Sequence, residues 1–360
     1  MQPTRMRAWL LTGHGDFEAL EYRSDVAVPQ PGPGEVLVRV SAAAVNNTDI
    51  NLRIGWYGKG ARAVEAGDGA AACAGGVTGP GGWSGTAVAF PLIQGADACG
   101  EITAVGPGVS SARIGERIIV NPILDPLPQS PDGAVRYLGS DCNGAFAEFV
   151  AVPAANAVRT KSTLSDAELA SFPCSYSAAE NMLTRAGISR GDTVLITGAS
   201  GGVGTAAVQL ALRRGARVTV VAAAGKAARL EALGAARVVA RNEDLVARLG
   251  RESIDAVIDV VGGPSFTALL EVLRRGGRYA VAGAIGGPLV PLDLRTLYLK
   301  DLTFYGCTVP GPGVFANLVR YIEAGEIRAV LARTFTLREL PEAQRAFLEK
   351  AHVGKIILLM

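Results

Sequence analysis

The stretch TGASGGVGTAAVQLA, residues 197–211, decides the fold. It follows TVLIT at 193–197, an apolar run of the length that forms a buried strand. It leads into Val203–Arg214, which reads as a helix. That order of strand, glycine-rich turn and helix gives the glycines a physical purpose. The chain must turn sharply, and glycine permits dihedrals that a Cβ forbids. A bare backbone also lets a pyrophosphate approach, and Gly204 lets the helix pack closely on the sheet. The helix start then offers free N–H groups and a positive dipole end to the phosphates. Ser200, Gly201, Gly202, Val203 and Gly204 are therefore the expected cofactor-binding residues of a dinucleotide site.

Downstream, strands and helices alternate. Arg217–Ala222 is a second strand and Lys226–Leu233 a second helix. Arg237–Ala240, Ala256–Val261 and Arg278–Ala282 read as further strands with helices between them. Alternation of this kind predicts βαβ units, a parallel sheet and right-handed crossovers. Strands that are apolar throughout predict a sheet covered on both faces. The expectation is an α/β chain with a Rossmann-type doubly wound parallel sheet.

The second strand selects the dinucleotide. NAD sites place Asp or Glu near its end to hold the ribose hydroxyl. Here Val220–Lys226 reads VVAAAGK and carries no acid. Lys226, with Arg229, and Arg241 at the end of the third strand suit a 2′-phosphate. NADPH is thus the expected cofactor, ahead of NADH.

Upstream, the pattern is β-rich. EVLVRV at 35–40, GEITAV at 100–105 and ERIIV at 116–120 are short and separated by Pro and Gly clusters, as in an antiparallel barrel-like domain. Residues 58–88 are rich in Gly and Ala, lack a period and read as a long loop. The tail holds two amphipathic helices, 315–323 and 340–350, and a closing strand, 355–359, expected to rejoin the first domain.

Composition narrows the classes. Apolar residues make up 49% and charged residues 19%, which is globular rather than disordered. The net charge of +2 is scattered and forms no nucleic-acid stripe. No secretory leader and no membrane-length apolar run is present, so a cytoplasmic, non-membrane protein is expected. The five cysteines form no CxxC pair, and there are only two histidines, which argues against a Cys- or His-based metal site.

The motifs now resemble a family. Besides 197–211, PGPGEVLVRVSAAAVNNTD at 31–49, PLIQGADACGEITAVGPGV at 91–109, GAFAEFVAVPAANAV at 144–158 and VGKIILL at 353–359 are similar, in order, to the medium-chain dehydrogenase/reductase superfamily. The likeness is greatest to its quinone oxidoreductase branch and covers nearly everything outside 58–88. It implies a GroES-like β-barrel catalytic domain from 1–158 and 310–360 around a Rossmann domain from 159–309, with the active site between them.

The resemblance also implies where catalytic zinc would bind in other members, through Cys, His-Glu and Cys positions. Here those positions read Asn46, Ala96-Asp97 and Cys174. Residues 121–143, where a four-Cys zinc lobe would lie, hold only Cys142. Loss of the soft ligands predicts no metal. Cys174 then reads as a buried small residue rather than a nucleophile. Asn46 and Tyr57 are the catalytic residues the resemblance implies, Asn46 facing the nicotinamide and hydrogen-bonding substrate oxygen, Tyr57 as a donor at the cleft mouth. Asp49 and Arg53 read as a supporting pair.

The expected reaction is zinc-free hydride transfer from NADPH to a quinone or α,β-unsaturated carbonyl. A zinc-type alcohol dehydrogenase with atypical ligands and a non-catalytic NADPH-binding protein are the alternatives. Two further expectations are a lid formed by 58–88 with Trp83 against the substrate, and a homodimer through an apolar edge strand at 301–308.

Overall fold

The computed structural model describes residues 3–58, 62–66, 70–74, 81–124 and 135–360, with 62–66 and 70–74 as backbone only. Two sheets carry the architecture. The first has seven strands, in the order Ala157–Arg159, Arg117–Val120, Asp97–Val105, Glu35–Ala44, Lys355–Leu359 and Leu331–Thr336, with Phe149–Pro153 also paired to Glu35–Ala44. Its pairings are antiparallel, apart from the final Leu331–Thr336 with Lys355–Leu359. The closing strand therefore does rejoin the N-terminal half, inserted beside Ala42–Ala44.

The second sheet has six strands, all parallel. Their order is Arg237–Ala240, Arg217–Ala222, Thr193–Ile196, Ile254–Asp259, Leu273–Val281 and Thr303–Gly306. Chain order reverses on either side of Thr193–Ile196, so the switch point lies between that strand and Ile254–Asp259. Ligands of open parallel sheets bind at such a crevice, beyond the carboxyl ends of the strands. The Rossmann expectation holds.

Helix Gly202–Arg213 and helix Pro173–Arg185 pack together over one face of this sheet, with Ala206, Ala207, Leu210, Tyr176, Met182 and Leu183 fully or nearly fully buried. Helix Val314–Glu323 shares that core through Phe315, Leu318 and Ile322. The return to the first sheet thus comes at Leu331, not with the first tail helix.

One expectation is corrected here. Within 58–88, Arg62–Ala66 pairs antiparallel with Ala70–Ala74 to form a hairpin. Backbone hydrogen bonds make that ladder, and a run of small residues gives no side-chain period to announce it. The rest of the expected lid lies mostly outside the described residues.

Candidate functional site

The glycine-rich turn sits at the switch point. Helix Gly202–Arg213 begins there, and no side chain caps it. Its first N–H groups consequently lack intrahelical partners and face the crevice. A Cβ on Gly204 would lie 2.3 Å from the Gly198 carbonyl oxygen, so only glycine fits. The floor of the crevice is a buried network that the sequence did not announce. Asp259 Oδ1 accepts from Thr197 Oγ1 (2.5 Å), Val261 N (2.8 Å) and Gly262 N (3.1 Å), and Asp259 Oδ2 accepts from Tyr279 Oη (2.5 Å). It ties the ends of two neighbouring parallel strands and fixes the turn.

The expected phosphate cations lie close by. Lys226 Nζ donates to Ser200 Oγ at 3.1 Å, placing it on the turn itself. Burial, then Arg241 and Arg229, hold its pKa below the usual lysine range. Arg241 is exposed at the end of Arg237–Ala240. No carboxylate follows Arg217–Ala222, since Ala222-Ala223-Ala224 occupy the place.

Across the cleft, Asn46 caps the short helix Asn47–Arg53. It is buried, and its polar atoms are all engaged inside the protein. Asn46 Nδ2 donates to Asp97 Oδ2 (2.8 Å) and the Ala44 carbonyl (3.2 Å), while its N–H donates to Asp49 Oδ2 (2.7 Å). Lys355 Nζ donates to Asn46 Oδ1 (2.5 Å), Asp97 Oδ2 (2.8 Å) and the Val45 carbonyl (3.3 Å). The Cys174 N–H donates to Asp97 Oδ1 (2.6 Å), and Cys174 Sγ is hydrogen-bonded to Tyr137 Oη (2.9 Å). Burial, then Asp97, push the Cys174 thiol up to about 12. It stays a neutral thiol. Burial also lifts Asp49 to about 7, despite the opposing Asn46 N–H and Lys355.

Lys355 further joins this junction to the cofactor turn. A Cβ on Gly202 would meet Ser175 Oγ at 2.5 Å and Lys355 Cδ at 2.7 Å. The two halves of the site are packed against each other through one lysine stem.

Comparison with known proteins fixes the family. Residues 32–162 match the alcohol dehydrogenase GroES-like domain, and residues 202–324 match the zinc-binding dehydrogenase family. The acryloyl-coenzyme A reductase of Metallosphaera sedula is 30% identical over 98% of this chain and 99% of its own. The chain belongs to the medium-chain dehydrogenase/reductase superfamily. It is also similar to the quinone oxidoreductase of Lama guanicoe, 26% identical over 99% of this chain and 98% of that protein. A crystal structure of a candidate alcohol dehydrogenase from Sinorhizobium meliloti 1021 superposes with a TM-score of 0.88 at 43% identity, covering 99% and 97% of the two chains. The cobalt- and zinc-bound alcohol dehydrogenase of Pyrobaculum aerophilum superposes at 0.81 with 32% identity, covering 99% and 100%.

Metal-binding members of this superfamily raise the question of fit. Here the junction does not fit a catalytic zinc. Asn46 and Asp97 already coordinate an ammonium, and a second cation beside it would meet Lys355 head-on. Of the expected soft ligands only Cys174 remains, as a neutral thiol.

Two hydroxyls keep protons without an acceptor among the described residues. Tyr57 Oη accepts from Asn51 Nδ2 at 3.5 Å, and its own proton has no acceptor among the described residues. Thr48 Oγ1 is buried and unpartnered among them. Tyr57 is expected from the sequence, whereas Thr48, within NNTD, is not. Nor is Lys355, whose setting in KIILL reads only as a strand.

The expected Asp49–Arg53 pair is not formed. Asp49 faces the junction, whereas Arg53 turns away to Gln344 Oε1 (3.0 Å) and Asp16 Oδ1 (3.0 Å). Positions i and i+4 are neighbours on a helix. Here each side chain has a stronger partner outside it. Trp83 stacks on Tyr137, with ring centroids 4.6 Å apart. It reaches the junction through that ring and Cys174.

Proposed function

We propose that this oxidoreductase is an NADPH-dependent, zinc-free reductase that delivers hydride to a quinone or α,β-unsaturated carbonyl. The observation that carries the reading is the Lys355 ammonium held between Asn46 and Asp97, a cation already standing among the positions a zinc would need. A substrate oxygen that gains negative charge must then be met by hydrogen-bond donors set in advance. Tyr57 and Thr48 supply hydroxyl protons for that purpose. Asn46 acts by positioning, because its donors and acceptor are committed to Asp97, Ala44 and Lys355.

Bound nicotinamide supplies the hydride. The turn at 197–204 orients the pyrophosphate, and Lys226, Arg229 and Arg241 favour the 2′-phosphate. Absence of a carboxylate after Arg217–Ala222 supports NADPH over NADH. Relatives named acryloyl-coenzyme A reductase and quinone oxidoreductase are in keeping with an activated alkene or quinone. Free thiols at Cys99, Cys142, Cys174 and Cys307 accord with a cytoplasmic location.

The test is cofactor consumption across quinones, enones, aldehydes and alcohols, with NADPH and NADH in parallel and metal content measured on the purified protein. NADPH-driven turnover of quinones or enones without stoichiometric zinc is expected. A tightly held zinc together with alcohol oxidation would replace this reading. Binding of NADPH with no turnover on any acceptor would make the chain non-catalytic.

The proposal extends to a homodimer. Thr303–Gly306 is an edge of the parallel sheet, and Leu289, Leu294, Tyr298 and Leu299 are exposed in the segment leading to it. Sedimentation as a monomer at micromolar concentration would refute it.

A further inference from the structure

Asp259 ends the strand Ile254–Asp259 with its side chain wholly buried. Two other deeply buried acids each have a cation, Asp97 in Lys355 and Glu180 in Arg214. Asp259 has none among the described residues. Its partners are neutral donors: the Thr197 and Tyr279 hydroxyls and the N–H groups of Val261 and Gly262. The Val260 N–H donates in turn to Thr197 Oγ1 at 3.1 Å, which aims the Thr197 proton at the carboxylate. Burial, then Asp259, hold the Tyr279 hydroxyl above its usual range, so it keeps its proton and donates. The Tyr279 ring packs on Phe266 and Phe304, with centroids 5.4 and 5.2 Å away. That apolar wall keeps water from screening the charge on this side. Neutral donors spread the charge of a carboxylate without cancelling it.

The place of that charge follows from the sheet. Thr197 follows Thr193–Ile196, and these two strands flank the switch point, so the Thr197–Asp259 hydrogen bond crosses it at the carboxyl ends. A dinucleotide lies over such a crevice. Its pyrophosphate belongs to the start of helix Gly202–Arg213, and its adenosine to the side of Lys226 and Arg241. The nicotinamide half therefore falls on the other side, over the loops that follow Ile254–Asp259 and Leu273–Val281. The first of these loops touches the cofactor turn. A Cβ on Gly198 would meet Val260 Cγ2 at 2.8 Å and Val261 Cγ2 at 3.0 Å. The second is tied to the first, the Gly286 N–H donating to the Val261 carbonyl at 2.7 Å and the Gly263 N–H to the Gly287 carbonyl at 3.0 Å. Asp259 thus lies beneath the nicotinamide side of the crevice.

We propose that the buried Asp259 carboxylate sets the redox balance of the bound cofactor, favouring the cationic oxidised nicotinamide over the neutral reduced one. The proposal rests on the cofactor reading above. Bound nicotinamide gains one positive charge when it gives up hydride, and no other part of the cofactor changes charge. A fixed negative charge beneath the ring eases that release. The hydrogen and its electron pair pass to the acceptor carbon, and the acceptor oxygen takes its proton from Tyr57 or Thr48. Asp259 acts across the loop, without touching the ring.

Dissociation constants of NADP+ and NADPH test this, measured by fluorescence titration in the parent protein, Asp259→Asn and Tyr279→Phe. The phosphates carry the same charge in both forms, so the ratio of the two constants isolates the ring. Asp259→Asn should weaken NADP+ relative to NADPH roughly five- to tenfold. Tyr279→Phe withdraws one donor, leaves the charge less spread, and should shift the ratio the other way, about two- to threefold. A merely structural loss weakens both forms alike. An unmoved ratio in Asp259→Asn, or a shift of the same sign in Tyr279→Phe, overturns the proposal while the cofactor reading stands. Where Asp259→Asn does not fold, the sign in Tyr279→Phe decides. If the parent protein binds NADH instead, the NADPH preference falls and the same ratio is read on NAD+ and NADH. If it binds neither, the cofactor reading and this inference fall together.

Discussion

The two sides of the cleft are held in shape by opposite means. At 197–204 the work is done by backbone: uncapped N–H groups, a helix dipole, and a turn that tolerates no side chain at Gly204. Across the cleft it is done by side chains already satisfied by one another, with Asn46, Asp97, Lys355, Cys174 and Tyr137 joined in one hydrogen-bonded junction. A backbone site is fixed by dihedrals and survives most changes around it. A side-chain junction is fixed by mutual charge and fails when one member is lost.

That contrast can be broken from either side. Gly204→Val should have the largest effect, since the new Cβ would lie 2.3 Å from the Gly198 carbonyl. Cofactor binding, followed by fluorescence titration, should fall beyond detection even if the chain folds. Retained affinity would show that the turn is not the phosphate site. Lys355→Met comes next. It leaves the buried Asp97 carboxylate unpaired and should cost about 3–5 kcal/mol in urea unfolding. Adding Asp97→Asn should restore much of that, and failure to do so would show that the ammonium is not Asp97's partner in energy.

Tyr57→Phe removes a hydroxyl without disturbing the junction. It should lower kcat roughly 10- to 100-fold with the KM for NADPH unchanged. An unaltered kcat would move the donor role to Thr48. The smallest effect is one of pH. Burial raises Asp49 in the folded protein from the usual carboxylate range to about 7. Its carboxyl therefore favours folding most below the unfolded value, and that contribution is lost as pH rises through about 7. Melting temperatures from pH 5 to 8 should fall less steeply in Asp49→Asn than in the parent, about in proportion to that one group. Parallel curves would assign the slope elsewhere.

The same contrast explains what the sequence discloses. The turn is legible because strand, glycines and helix are contiguous between 193 and 214, and the alternation after it dictates the parallel sheet. The closing strand is legible by its apolar run. The junction is not, because Asn46, Asp97, Cys174 and Lys355 come from separate segments, and a lysine opening KIILL looks like a strand's first exposed residue. It is in fact 4% exposed in its side chain. Asp259 is hidden for a similar reason, since VIDV reads as strand while its carboxylate collects donors from neighbouring segments. Arg53 does not form the expected pair with Asp49, because its partners, Asp16 and Gln344, lie far away in sequence.

The strand Lys355–Leu359 has a consequence for the order of assembly. It lies inside the first sheet, next to its edge strand, between Glu35–Ala44 and Leu331–Thr336, yet Lys355 stands 310 residues from Val45, whose carbonyl it binds. During synthesis the parallel sheet can close on local crossovers, while the older half waits with an unfilled place beside Glu35–Ala44. The junction at Asn46 and Asp97 has no counter-charge until that same strand arrives. Closure of this junction and completion of the sheet are one event.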